Sequence, residues 1–553
     1  MKIALAQLNY KVGDFKGNKS KIIAAIETAK KKEADIVIFS ELAITGYMPS
    51  DLLLNEKFIN NALTSIKEIS EKCTNIAAIV GCPSINKELE HNRLFNTAWF
   101  LRKGKILPFA HKTLLNNHSV FEDNRYFYQN QQFNLLSFKG MYIGITIGAD
   151  LFDDQPFDNQ SNIIRQNSVS PIKELSKLYP DFIVNISALP FSHDLHKYHK
   201  NIVCNNAVSY NLPIFFVNHV GANSELIFDG GSMIVNAKGN IFQRMKLFEE
   251  DLLVFNTKDL NKETIEKPDG ETKEIMLIYN ALVLGIRDYF KKSGLSKALI
   301  GLSGGIDSAV VAALAVKALG KDNVHGILLP SQYSSKHSIT DAVSLAVNLG
   351  INHNIIHIED TYKTVENALS PIFSGIETDV TEENIQARIR GMILMAYSNK
   401  FGYILLNTSN KSEVAVGYGT LYGDMCGALS ILGDVYKSGV YKLANFINSE
   451  REVIPYNTIS KPPSAELRPG QKDSDSLPEY IILDTILFNY LEQNKSFEEI
   501  VALGFDSIVV KDILKKLFQN EFKRFQSAPV LRVSSKGFGI DRKMPLVSQF
   551  GFN

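Results

Sequence analysis

The apolar run Ala298-Leu299-Ile300 leads within three residues into Ser303-Gly304-Gly305-Ile306-Asp307-Ser308 and then into the alanine-rich stretch Ala309 to Leu314. A buried strand that turns through glycines into a helix is the unit of a parallel α/β sheet, because parallel neighbours need a crossover connection. Small residues at the turn let backbone N–H groups and hydroxyls surround a phosphate at the helix N-terminus. A lone Gly-Gly would read as an ordinary turn. Six consecutive positions with two serines and an aspartate, set between strand and helix, point instead to a phosphate loop.

A chain of 553 residues exceeds what one hydrophobic core usually supports, so at least two domains are expected. In the first half, apolar runs at Ile36 to Phe39, Ile76 to Val80, Tyr142 to Ile147 and Phe182 to Ile186 alternate with helical patterns such as Lys19 to Lys31. The charged stretch Thr257 to Lys273, with its Pro268-Asp269-Gly270 turn, is the best boundary candidate. The expected organisation is residues 1–260, a linker at 261–273, and a second unit at 274–553 that becomes more helical from about Ser476.

Fifty-nine basic residues balance fifty-nine acidic ones, so nothing global attracts nucleic acid or anionic lipid, and a small-molecule substrate is expected. Cys73, Cys82, Cys204 and Cys426 form no CxxC pair and no zinc-ligand spacing. The N-terminal residues turn polar within ten positions, and no uninterrupted apolar run approaches the roughly 20 residues that cross a bilayer. The expectation is a soluble, cytoplasmic protein in a reducing compartment, with neither nucleic acid nor membrane as partner.

The Ser303 to Ser308 loop resembles that of the N-type ATP pyrophosphatases, which cleave ATP to AMP and pyrophosphate while adenylating an oxygen. Further blocks narrow the resemblance: Leu329 to Ser335, Glu383 to Gly391, Leu406 to Glu413, Gly417 to Met425, Asp434 to Lys437 and Lys461 to Pro469. In this order and over nearly the whole chain they resemble the glutamine-dependent NAD synthetases. The resemblance implies an α/β protein: a nitrilase-like α-β-β-α sandwich followed by a Rossmann-like parallel-sheet domain of the adenine nucleotide alpha hydrolase type. It also implies an amide-forming ligase, with a homo-oligomer as the expected assembly.

Carried over by position, the resemblance puts Ser303, Gly304, Gly305, Ile306, Asp307, Ser308, Thr408, Lys437 and Ser464 around ATP. Asp307 and Glu413 match magnesium positions, which suits a hard cation that bridges phosphate oxygens. Asn384, Arg388, Tyr418, Gly419, Thr420, Leu421, Asp424 and Lys523 match positions near deamido-NAD. Three plainer readings stand beside these. Glu383 to Arg390 also fits a solvated helix face and Lys411 to Glu413 a capped turn, while Lys523 fits a surface cation at a helix end. The implied reaction is attack of the acid's carboxylate on ATP, followed by amide formation.

The first 260 residues resemble the nitrilase-type glutaminase that feeds ammonia to such synthetases, a chemistry of cysteine nucleophile, glutamate base and oxyanion-stabilising lysine. Glu41 and Lys112 match two of these roles, and they also fit a structural ion pair. Where the family has Cys-Glu-Asp after a buried strand, this chain reads Gly148-Ala149-Asp150. It departs again at Asn116-Asn117-His118 and at Leu189, where the family has the tyrosine and serine of the glutamine pocket. The expectation is an inactive glutaminase and free ammonia as nitrogen donor. Cys204, in a helical context, reads as a small buried thiol. Amidation of nicotinic acid mononucleotide, glutamine use through an unrecognised nucleophile, and a catalytically silent binding protein remain alternatives.

Overall fold

The computed structural model describes residues 1–86, 94–117, 120–152, 169–260, 262 and 273–548. The chain divides into two compact units, Met1–Thr272 and Lys273–Asn553. Most of the proposed linker lies outside the described residues, and the second unit opens with the helix Glu274–Ser293.

The first unit contains two six-stranded sheets. One runs in the order Asp251–Asn256, Lys2–Gln7, Ile36–Phe39, Ala77–Ile85, Leu94–Arg102, Lys105–His111. The other runs Ile241–Arg244, Met233–Val235, Ile214–Asn218, Phe182–Ser187, Met141–Ile147, Leu136–Phe138. Alternate residues point to opposite faces of a strand. Ile3, Leu5, Ile36 and Ile38 therefore pack against Ile143, Ile145, Phe182 and Val184 of the facing sheet. The intervening Ala4, Ala6, Val37 and Phe39 meet Ile22, Ile26, Ile66 and Ile69 of the helices Phe15–Lys31 and Glu56–Lys72. The helix His196–Tyr210 covers the outer face of the second sheet through Ile202, Val203 and Ala207. The inner strands of both sheets meet apolar residues on both faces, which is why they are continuous hydrophobic runs. The result is the expected α-β-β-α sandwich.

The second unit is built on a five-stranded parallel sheet in the order Asn352–Ile355, Val324–Leu328, Ala298–Gly301, Ile404–Asn407, Leu429–Ser430. The chain winds outward in both directions from Ala298–Gly301. The carboxyl ends of Ala298–Gly301 and Ile404–Asn407 thus flank the point where the order reverses, the usual ligand crevice of open α/β sheets. The helical tail, including Tyr480–Leu491 and Ser507–Gln519, has its own apolar cluster with Val414, Ala415 and Val416. No described helix is long and apolar enough to cross a membrane.

One ammonium fastens the tail to the sheet. Lys411, the first residue of the helix Lys411–Val416, is fully buried, with Nζ 2.8 Å from Asp434 Oδ1 and 2.5 Å from Glu492 Oε1. It also donates to Ser534 Oγ and to the Lys536 carbonyl, so three distant segments share one charge. Removing one partner of a buried pair leaves the other charges uncompensated, at a cost of about 3–5 kcal/mol. Lys411→Met is expected to lower the unfolding free energy by about that amount, read by chemical denaturation, whereas a change below about 1 kcal/mol would mean the charges are solvated.

Candidate active site

In the second unit the loop after Ala298–Gly301 closes on itself. Ser303 Oγ lies 3.1 Å from Ser308 Oγ and accepts from Gly305 N–H at 3.2 Å. Gly304 adopts φ +78°, and a Cβ there would lie 2.2 Å from the Ser338 carbonyl oxygen, so only glycine fits. Helix Ile306–Leu319 starts at this turn and presents its unpaired N–H groups to the crevice.

Across the crevice, Asn410 caps the helix Lys411–Val416 in a reciprocal capping box with Glu413. Asn410 Nδ2 also donates to Asp307 Oδ1 at 2.9 Å, tying the two strand ends together. Lys437, at the start of the helix Lys437–Ile447, places Nζ 2.5 Å from Asp307 Oδ2 and 3.5 Å from Glu413 Oε1. Burial and the neighbouring Asp307 carboxylate push the Glu413 carboxyl up to about 8, with Lys437 opposing them. Burial works against the charge on Lys437, but Asp307 and Glu413 outweigh it and raise its pKa. Two carboxylates thus converge on one cation.

Of the nine positions matched to ATP, Ser303, Gly305, Ile306, Asp307, Ser308, Thr408, Lys437 and Ser464 line a single cleft, with Gly304 in the turn between them. Glu413, Tyr418 and Asp424 line the same cleft. Several of the positions matched to deamido-NAD are hydrogen-bonded in pairs around the Gly417 to Asp424 loop. Thr420 Oγ1 donates to Asn384 Oδ1 at 2.6 Å, Thr420 N–H to Asp424 Oδ1 at 2.6 Å, and Arg388 Nε to the Leu421 carbonyl at 3.2 Å. The surface-cation reading of Lys523 gives way: its Nζ is half-buried and donates to the Gly417 and Gly419 carbonyls, both at 2.8 Å. Those carbonyls end the helix Lys411–Val416, where a cation is favoured. The solvated-face reading of Glu383 to Arg390 gives way in part, since Gln386, Ala387 and Ile389 are buried while Arg388 is exposed. Lys411 to Glu413 is the first turn of a buried helix.

Sequence reasoning passed over Asn410, Asp473 and Arg390. Asp473 lines the cleft and accepts from the Tyr418 and Tyr480 hydroxyls. Its signal was weak, because nothing local in Lys472-Asp473-Ser474 indicates the two tyrosines that hold it.

In the first unit, Glu41 follows the strand Ile36–Phe39 and Lys112 follows Lys105–His111, so the twin strand ends bring them together. Lys112 Nζ lies 2.9 Å from Glu41 Oε1 and 2.8 Å from Asp123 Oδ2, with all three side chains buried. Asp123 was not singled out from the sequence. Asn96 Nδ2 and Ala188 N–H also donate to Glu41. Burial raises the Glu41 carboxyl, with Lys112 opposing and Asp123 adding to the shift. Gly148 lies against this pair at φ +53°: a Cβ there would be 2.7 Å from Glu41 Oε2 and 3.2 Å from Lys112 Nζ. Leu189 is buried, Asn117 accepts from Asn124 N–H, and His118 lies outside the described residues. Cys204 packs with the apolar cluster outside the second sheet.

The fold and these two sites define a class, a carbon-nitrogen hydrolase unit followed by a synthase unit that forms C–N bonds. Residues 2–264 match the carbon-nitrogen hydrolase family and residues 278–527 the NAD synthase family. A glutamine-dependent NAD(+) synthetase from Synechocystis is 43% identical over 99% of both chains, and one from Thermotoga maritima is 37% identical over 100% of this chain and 99% of its own. The chain also resembles the structure of glutamine-dependent NAD+ synthetase from Acinetobacter baumannii in complex with adenosine diphosphate. That match has 34% identity and a TM-score of 0.78, and it covers 100% of this chain and 99% of the other. This chain belongs to the glutamine-dependent NAD(+) synthetase family, and it is a C–N bond-forming ligase.

Asp150, two residues beyond Gly148, clamps this site. Its carboxylate accepts from Ile147 N–H at 3.0 Å, Thr113 N–H at 3.0 Å and Leu114 N–H at 2.7 Å, joining the Lys112 segment to the Gly148 turn. Burial raises its pKa to about 7, with the three N–H groups opposing the shift. A carboxyl raised in the folded state contributes stability that is full below its unfolded value of about 4 and is lost as pH rises through about 7. The Tm difference between the natural chain and Asp150→Asn is therefore expected to shift against the natural chain between about pH 4 and about pH 7. A pH-independent difference would reject this reading.

Proposed function

We propose that this chain converts deamido-NAD to NAD with ATP and free ammonia, releasing AMP and pyrophosphate. The observation that carries the reading is the single cleft in which the Ser303 to Ser308 loop, Thr408, Lys437 and Ser464 stand beside Asp424 and Tyr418. A carboxylate is a poor acyl electrophile until one oxygen becomes a leaving group. Attack of the nicotinate carboxylate oxygen on the α-phosphorus of ATP forms that P–O bond and breaks the bond to pyrophosphate. Ammonia then attacks the acyl carbon, AMP departs, and the ammonium proton passes to solvent.

The chain's own contribution is charge balance and alignment. Backbone N–H groups and the Ser303 and Ser308 hydroxyls face the leaving phosphates, and Lys437 adds a fixed positive charge. The group around Thr420, which bonds Asn384 and Asp424 and has Arg388 on the adjacent Leu421 carbonyl, holds the acid substrate in register with ATP. Asp307 and Glu413 suit magnesium: both are carboxylates, they already converge on one cation, and burial favours filling their negative charge. Bound magnesium would neutralise charge on phosphate oxygens. Asp307→Ala is expected to leave the fold intact and reduce pyrophosphate release by at least about 100-fold. Natural-rate turnover in that variant would remove Asp307 from the reaction.

Free ammonia as donor is supported by Gly148, which has no side chain where an acyl-enzyme would form. Without a nucleophile, catalysis falls by orders of magnitude to what oxyanion stabilisation and binding provide. The relatives' name favours a second reading, in which glutamine is used through another group. Crossing deamido-NAD and nicotinic acid mononucleotide with ammonium and glutamine decides among these. The expected result is NAD from deamido-NAD and ammonium, rising with pH as free ammonia increases, and negligible glutamate release from glutamine. Gly148→Cys alone is expected to recover little, because the new Cβ would displace Glu41 Oε2 and the glutamine pocket still lacks its tyrosine and serine. Equal amounts of glutamate and amide product from the unmodified chain would instead establish the glutamine reading.

A further inference from the structure

Arg390 lies on the helix Val380–Phe401 and lines the cleft. Its Nε donates to the Leu329 carbonyl at 2.9 Å, which fixes the side chain at the end of the strand Val324–Leu328. The rest of the guanidinium makes no hydrogen bond, and no carboxylate lies within 4.0 Å of it among the described residues. Asp424 and Glu466 act on it only through their field. Both are engaged elsewhere, Asp424 by Thr420 N–H and Glu466 by Ser335 N–H and by the Ser335 and Ser338 hydroxyls.

Arg390 is partly buried in the wall of the cleft, and a partly desolvated charge gains from a partner that replaces the hydration it has lost. A guanidinium has five N–H donors in a planar fork, and one anchored nitrogen leaves the terminal pair aimed as a unit. Burial lowers the pKa to about 10, so the side chain stays charged at neutral pH. The cleft therefore holds a cation oriented by one bond and with its terminal nitrogens unengaged, in a place where both ligands of the reaction are anionic.

Resting on the reading of this cleft as the ATP and acid site, we propose that Arg390 binds an oxyanion of the substrates through its terminal nitrogens. The partner is a phosphate of ATP or the carboxylate or diphosphate of the acid dinucleotide. This is a ligand contact distinct from the Ser303 to Ser308 loop and from Lys437. The chemistry is the same in each case, a bidentate charge-assisted hydrogen bond, and binding measurements separate the sources.

The test uses the full chain and its Arg390→Met and Arg390→Lys variants, with affinities for ATP, adenosine, deamido-NAD and NAD measured by calorimetry. Loss of a charge-assisted bond is expected to weaken the partner ligand about 10- to 100-fold in Arg390→Met. Selective weakening of ATP relative to adenosine would assign the contact to an ATP phosphate. Weakening of deamido-NAD alone would assign it to the carboxylate, and equal weakening of deamido-NAD and NAD to the diphosphate. Arg390→Lys, which keeps the charge but loses the fork, is expected to recover part of the loss. Adenosine weakening as much as ATP would show that Arg390 only shapes the wall through Leu329, and unchanged affinities would likewise overturn the assignment. A natural chain that binds ATP and deamido-NAD while the variant behaves identically defeats Arg390 alone. A natural chain that binds neither defeats the reading of the cleft as well.

Discussion

The synthetase unit is organised around the meeting of Lys437 with Asp307 and Glu413. Asp307 comes from the turn after one central strand, Glu413 from the helix after its neighbour, and Lys437 from the start of a third segment. Of the three only Lys437 is buried, and the partly exposed carboxylates of Asp307 and Glu413 together offset the desolvation of its ammonium. Asn410 adds the bond from Asp307 to the capping box of Glu413, and the Ser412 hydroxyl accepts from Lys437 N–H. The crevice that parallel topology opens between two strand ends is in this way held at one width.

Around this centre the unit repeats the same device. Lys411, two residues before Glu413, is buried between Asp434 and Glu492, and Lys411 and Asp434 both bond Ser534 of the C-terminal segment. Asn520, Lys523 and Arg524 donate to the Val416, Gly417, Gly419, Val414 and Ala415 carbonyls that the short helix Lys411–Val416 leaves open. The open carbonyls of the helix that carries Glu413 are thereby satisfied by side chains from the tail, while Asn410 caps its N-terminus, and the tail itself packs on that helix through Val414 to Val416. The helical tail is thus part of what positions the cleft.

The first unit holds a comparable cluster, Lys112 between Glu41 and Asp123, but with Gly148 against it. Glu41 has three described donors, Asn96, Lys112 and Ala188, and its Oε2 lies in the direction a side chain at Gly148 would take. An ion pair so fully bonded has a structural reason to be retained whether or not the unit performs chemistry, since losing either partner strands the other.

Local sequence determined much of this. The strand–loop–helix of Ala298 to Leu314, the alternation that builds both sheets, and the ordered blocks around Thr408, Tyr418 and Ser464 are all contiguous, so spacing alone displays them. Glu41, Lys112 and the Gly148 departure are legible for the same reason, because each follows a recognisable apolar strand. Only the tertiary structure decided which charges meet. That Lys437 reaches Asp307 across 130 positions, that Asp123 shares Lys112 with Glu41, that Lys523 turns inward to two carbonyls, and that Arg390 lines the cleft anchored through Nε to the Leu329 carbonyl are facts of long-range packing. Side chains four residues apart on a helix, such as Gln386 and Arg390, look alike in a polar stretch. Which of them is desolvated, and beside what, depends on the strands and loops that the rest of the chain lays against them.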